Sequence, residues 1–199
     1  MRILIDKSKE HPHKYVSKTV GEKKVHLSGY GITPESALED LRNTMQVIID
    51  KEASNSKKWS NEMKYLSEYY AEGELHVYLT DRSNFNLLFE NQPESTPNTL
   101  NIVVEAPKDR FQQYMAWFLK QPDDLALVTG TGNSVEEALK DLKDTLQYYI
   151  DGNFADETEL VLANKIVPVL QKSKFKVYKA LEFPFELNFD NIFLGEVSY

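Results

Sequence analysis

Cysteine is missing from this chain altogether. Disulfide bridges and thiolate chemistry are therefore excluded, a reducing interior compartment is compatible, and any metal site has only histidine and carboxylates to draw on. Also missing is any apolar run near the roughly 18 residues a membrane span needs, and the residues after Met1-Arg2 lack a signal-peptide core. The expectation is a soluble cytoplasmic protein with no membrane partner. A surplus of Lys and Arg is lacking too: 23 basic side chains face 31 acidic ones, a net charge of −8. General nucleic-acid binding rests on neutralising phosphates, so this balance disfavours it and suits a basic partner instead. The deficit is uneven, with 13 basic and 15 acidic groups in residues 1–99 against 10 and 16 in residues 100–199.

Signatures of catalysis are absent as well. No Ser-His-Asp order, paired-carboxylate signature or nucleophile elbow stands out, and the expectation is no enzyme, no catalytic residue and no cofactor. Gly29-x-Gly31 and Gly130-x-Gly132 precede helices, but neither has the third glycine of a dinucleotide fingerprint, and no Gly-Lys-Ser/Thr follows. They read as tight strand-to-helix turns that use glycine's freedom at positive φ. His11 and His13, near Asp6 and Glu10, are metal-donor types. The matching stretch downstream has Asp109, Arg110 and Phe111 instead, so an exposed loop without metal is the better reading. His26 and His76 fall in extended segments and receive no catalytic role.

What the chain does contain is a repetition. Gly29 to Asp50 and Gly130 to Asp151 are identical at eleven of twenty-two positions at an offset of 101. Upstream, Ile3-Leu4-Ile5 and Tyr15-Val16 match Ile102-Val103-Val104 and Tyr114-Met115 at 99; downstream, Leu75 to Tyr78 and Phe85 to Asn91 match Phe175 to Tyr178 and Phe185 to Asn191 at 100. A period this long exceeds that of solenoid arrays and suits a duplicated small domain. Pro93 and Pro97 among polar residues mark residues 93–99 as the linker, giving repeats over 1–92 and 100–199.

Within the first repeat, Arg2 to Asp6, Tyr15 to Val20 and Val25 to Tyr30 read as three strands of a meander. Thr33 stands at an N-cap with Pro34 at the first helical position; Ser134 is the matching cap, with Glu137 three residues on completing a capping box. Thr33 has Ser36 at that place, so only half the device is expected there. Ala37, Leu38, Leu41, Met45, Ile48 and Ile49, and then Ala138, Leu139, Leu142, Leu146, Tyr149 and Ile150, give each helix one apolar stripe. Trp59, Met63, Leu66 and Tyr70 predict a second, shorter helix ending by Gly73, whereas Pro168 interrupts its downstream counterpart. Alternation over Leu75 to Leu79 and Phe85 to Phe89 predicts a hairpin, repeated at Phe175 to Phe189. Phe111, Tyr114, Trp117 and Phe118 read as core or inter-domain packing. The predicted fold class is α+β: two similar halves, each a small antiparallel sheet of a three-strand meander plus a later hairpin, packed against one or two helices.

Three strands, Gly-x-Gly, a Thr or Ser cap, Glu, Ala-Leu and a further Leu resemble the HicB-like family of antitoxin domains, through Gly29, Gly31, Thr33, Glu35, Ala37, Leu38 and Leu41, and again Gly132, Ser134, Glu136, Glu137, Ala138, Leu139 and Leu142. The resemblance covers residues 1–52 and 100–152. It implies a partial ribonuclease-H-like sheet crossed by a helix, often in dimers, and a small basic RNA-cleaving toxin as partner. The chain departs from that pattern in having no helix-turn-helix or ribbon-helix-helix after either repeat, which puts operator binding in doubt. It also has almost fifty additional residues per unit. A fused pair replacing a homodimer, a pseudo-dimer within one chain, is the implied arrangement.

Three function classes follow. The leading one is a non-catalytic interaction protein, a HicB-like antitoxin-type module whose acidic surface takes a basic protein. A second is an RNA- or nucleotide-binding module using Lys14, Tyr15 and Lys18 of the lysine-rich first repeat; its counterpart carries Glu105, Asp109, Asp123 and Asp124, and lysines on a strand edge also serve simply to discourage aggregation. The third is a structural or assembly protein whose hairpins add edge to edge.

Overall fold

The computed structural model describes the chain apart from residues 10–13, 21–25, 54–59, 61, 65, 68–74, 82, 84, 90–97, 108, 110, 111, 120–122, 153, 155, 182–186 and 189–199. It divides into two compact units, Met1–Thr80 with Leu181–Tyr199, and Asp81–Ala180. Both mix strands and helices, in agreement with the expected α+β class.

In the first unit β1 (Arg2–Lys7), β2 (Tyr15–Val20) and β3 (Ser28–Gly31) form the antiparallel meander. Helix α1 (Pro34–Ala53) follows, then the helical residues 62–64 and 66–67 (α2), then β4 (His76–Thr80). The order is β3-β2-β1-β4, and β4 runs parallel to β1. In the second unit β5 (Asn98–Glu105) and β6 (Tyr114–Leu119) lead through α3 (Asp123–Ala126) to β7 (Thr129–Gly132), α4 (Val135–Asp151), α5 (Glu157–Gln171) and β8 (Ser173–Leu181). Here the order is β8-β5-β6-β7, with β8 parallel to β5.

The strand registers carry the sequence offsets. Arg2 faces Val20 and Asn101 faces Leu119, both shifted by 99. Tyr15 faces Gly31 and Tyr114 faces Gly132, shifted by 99 and 101. Arg2 faces His76 and Asn101 faces Lys176, shifted by 99 and 100. The shifts change only in the connections, so each drift in the sequence is a loop-length difference between elements that pair alike.

Side-chain burial explains why these segments form strands and helices. Ile3 and Ile5 meet Leu38, Leu41, Met45 and Ile49 of α1, together with Met63, Leu66 and Val77, in one core. Ile102, Val104, Phe118, Leu142, Leu146, Ile166, Leu170 and Val177 build the other. Each fully buried Leu, Ile or Met contributes about 1.5–3 kcal/mol relative to exposure. Leu4 and Val103, between the core-facing positions, are buried as well, so β1 and β5 are covered on both faces as strands with a parallel neighbour usually are. Of the second-copy aromatics, Phe118 lies in the core and Tyr114 packs against it.

Several expectations need correction. The later hairpin is not formed in the first copy, where residues 85–89 lie in no strand; β4 and β8 each join β1 or β5 in parallel, which makes the sheets mixed, and Phe185 and Phe189 of the second copy's hairpin lie outside the described residues. The alternation over residues 85–89 is real, since Phe85 and Leu87 are buried while Asn86 and Leu88 are exposed, but it serves packing into the second unit's core. β5 begins at Asn98, inside the segment read as linker, because Asn98 and Thr99 pair with Ser173 and Lys174. Pro168 sits within α5 without ending it; its missing N–H falls in the last turn, and Ala163, Ile166 and Leu170 hold the helix by burial. Asp156 caps that helix by accepting from Glu159 N–H at 3.0 Å. The capping device on α1 is complete: Thr33 Oγ1 accepts from Ser36 N–H at 3.1 Å and Ser36 Oγ accepts from Thr33 N–H at 3.0 Å. On α4 the Ser134 side chain accepts from Glu137 N–H, while Glu137 reaches past it to Asn133 N–H at 2.8 Å. Trp59, Tyr70 and Gly73 lie outside the described residues, but Met63 and Leu66 are helical and buried as their spacing requires.

The Gly-x-Gly pairs have a different cause from the one expected. Among the described glycines only Gly152, at φ +73°, has positive φ. A Cβ on Gly29 would collide with the Leu41 amide nitrogen and the Ala37 carbonyl, and would lie 2.7 Å from Leu41 Cα; on Gly130 it would strike Leu142 and Ala138 in the same way. Glycine is needed because the strand backbone rests on the helix backbone. Gly29→Ala and Gly130→Ala are each expected to lower unfolding free energy by about 1–3 kcal/mol, the usual penalty of overpacking. Urea denaturation checks this; a loss within the roughly 0.5 kcal/mol typical of surface changes would show the joint to be slack.

Candidate functional site

The joint between β3 and α1 organises the polar residues around it. Ser17, fully buried on β2, donates to the Ala37 carbonyl at 2.6 Å, with the Gly29 carbonyl at 3.3 Å. Its counterpart Ala116 is buried without a hydroxyl. Asp40 projects from the next turn and accepts the Tyr30 N–H at 2.8 Å; Asp141 accepts the Thr131 N–H at 2.8 Å. β3 and β7 end their strand orders, so each aspartate occupies a donor that a neighbouring strand would otherwise use, a protection of the kind open edges need.

Further along each helix lies a glutamine that binds main chain. Gln147 Nε2 donates to the Leu88 carbonyl at 3.0 Å and its Oε1 accepts the Leu88 N–H at 3.0 Å. Gln46 does the same with Asn188, at 2.9 Å in both directions. One helical turn on, Asp151 accepts from Gln147 at 2.8 Å and Asp50 from Gln46 at 2.9 Å. The i, i+4 spacing puts each pair on one helix face, and the carboxylate fixes which end of the amide is the donor. Asp40, Gln46 and Asp50 are three of the identities at offset 101. Their identity under repetition is the signal that the sequence carries for them.

The main chain held in this way comes from the far side of the sequence. Phe85, Leu87 and Phe89 follow β4 of the first unit but pack into the core of the second, where Phe85 meets Phe175 at 5.3 Å between ring centres. Leu181, the last residue of β8, and Leu187 beyond it pack into the first. Asp81 anchors the first passage. Its N–H donates to the Val177 carbonyl at 2.8 Å, its Oδ1 accepts from Ser83 N–H at 3.3 Å, and Oδ2 forms an ion pair with Lys179 Nζ at 2.6 Å. Burial pushes the Asp81 carboxyl up, but Lys179 and the Ser83 contacts outweigh it and hold the group below its usual range.

The other candidates occupy ordinary positions. Thr33 and Ser134 are helix caps. Lys14 is exposed; Tyr15 packs against the first core with Lys7 Nζ 6.0 Å from its ring centre, and Lys18 pairs with Asp6 at 3.4 Å. The structure thus brings Tyr15 and Lys18 into contacts within their own sheet. His76 stacks on Tyr78, with ring centres 6.2 Å apart, and His26 is exposed. Glu10, His11 and His13 lie outside the described residues, among which no group of three or more metal-donor side chains is found. None of the helices in the described residues is long and apolar enough to cross a membrane. Comparison with protein-family models, with curated proteins and with solved structures finds no match for this chain.

Gln147→Ala removes the exposed contact to Asp151 and two neutral hydrogen bonds to Leu88, the latter with a net value of about 0.5–1.5 kcal/mol each; a loss of at least about 1–3 kcal/mol is expected, with faster amide exchange at Leu88. Unchanged exchange there would show that the glutamine does not hold the segment. Asp81→Asn is expected to destabilise at neutral pH. A carboxyl with a lowered folded-state pKa contributes stability above the unfolded value, about 3.9, and loses it as pH falls through the folded value. Wild type and variant should therefore converge below about pH 4, as acid titration of unfolding measures; a constant gap down to acid would reject the ion-pair account.

Proposed function

We propose that this chain is a non-catalytic interaction protein, a tandem pair of HicB-like modules that binds a basic protein partner. The observation that carries the reading is the joint: Gly29, Gly31, Ala37, Leu38 and Leu41, and Gly130, Gly132, Ala138, Leu139 and Leu142, are the residues through which each meander receives its helix. Residues that carry the resemblance therefore lie at one structural feature, twice, between strands paired at matching registers. Internal duplication is the simplest source of such correspondence.

Charge supports the class of partner. The chain carries −8 overall, and exposed Glu35, Glu39 and Asp40 on α1 and Glu136, Glu137, Asp141 and Asp144 on α4 add acidic groups to the surface of both helices. Such a field raises the encounter rate with a basic surface and weakens with salt.

Purification from the native host at low ionic strength is expected to recover a small basic protein in stoichiometric amount. That complex should loosen as salt rises from about 0.1 to about 1 M, where the screening length falls from about 10 to about 3 Å. Recovery of the chain alone at low salt would overturn the proposal.

A further inference from the structure

The glutamine contacts hold main chain rather than side chain. At the two equivalent places the held residue is Leu88 in one unit and Asn188 in the other, and both side chains are exposed. A leucine and an asparagine share nothing but the backbone N–H and carbonyl that Gln147 and Gln46 take. The residue before each is leucine, packed inward: Leu87 is 4% exposed, whereas Leu187 is only half-buried. The arrangement has the elements of extended-peptide recognition, main-chain hydrogen bonds for affinity and alternate side chains for selectivity.

We propose that Gln46 and Asp50 on α1 form a binding site for an extended peptide with apolar residues at alternate positions, and that Leu187-Asn188 is the ligand the chain supplies to itself. The occupant is a partner segment of the pattern Phe-x-Leu-x-Phe, the pattern of residues 85–89 and 185–189, with no proline at the residue facing Gln46. The first unit is the receptive one. Its described occupant buries its leucine less fully than does Leu87, and the second unit's segment is fixed beside Asp81 by the Lys179 pair. The site takes uncharged backbone, so its binding does not weaken as salt rises, unlike that of the charge-driven partner, and the two fail separately.

The test uses the full chain carrying Asn188→Pro, whose own segment no longer donates to Gln46 Oε1. The probe is a dye-labelled peptide of residues 185–191, Phe-Glu-Leu-Asn-Phe-Asp-Asn, followed by fluorescence anisotropy. Saturable binding is expected to the Asn188→Pro chain, at least about tenfold weaker to the wild type, whose tethered segment competes at an effective concentration on the order of mM. Binding should vanish on adding Gln46→Ala and for a peptide with proline in place of its asparagine. No binding to an Asn188→Pro chain with wild-type circular dichroism, or equal binding with Gln46→Ala, overturns the proposal. If that variant does not fold, the wild type with excess peptide decides: amide exchange at Asn188 quickens on displacement, and an unaltered rate overturns the proposal.

Discussion

Direct contact between strand backbone and helix backbone is the constraint on which both units rest. Gly29 against Ala37 and Leu41, and Gly130 against Ala138 and Leu142, bring the last strand of each meander closer to its helix than any side chain allows. That proximity fixes the helix axis and rotation, and the apolar stripe of each helix then falls on its sheet. It also determines where the polar side has its effect. Asp40 and Asp141 can reach the outer N–H of the glycine-flanked residue only because the strand lies against the helix one turn away.

The same fixed rotation directs Gln46 and Gln147 toward an incoming segment instead of into solvent. Each amide satisfies a donor and an acceptor of main chain that belongs to no strand, and Asp50 and Asp151 hold the amides in that orientation. Backbone that leaves a sheet must find partners elsewhere. Here a helix side chain substitutes for a neighbouring strand, which is how residues 85–89 alternate in burial without strand pairing.

Much of the local structure was legible. The helix stripes, the Thr33 and Ser134 caps, the three-strand meander and the changing offsets all arise from interactions near in sequence, where period and capping chemistry leave a mark. What escaped was settled at a distance. Leu75 to Leu79 and Phe85 to Phe89 alternate as a hairpin would, yet β4 pairs with β1 and the following residues pack into the second unit's core, and period two does not name the partner. The glycines read as turn residues, because a sequence does not distinguish a residue that needs positive φ from one that must lack a Cβ. Pro168 reads as a break, yet in the last turn of α5 a missing N–H matters less than the burial of Ile166 and Leu170. The partners of Gln46 and Gln147 lie 142 and 59 residues away, beyond the reach of local periodicity.

The crossing of segments gives the two units different histories during synthesis. Leu88 precedes Gln147 by 59 residues, so the strap of the second unit already exists when its helix is made. Gln46 must wait for Asn188, 142 residues later, which at about 5–20 residues per second is about 7–28 s of translation. For that interval the first unit's helix stands with an unfilled amide beside the exit of the ribosome, and the half made first is the half finished last.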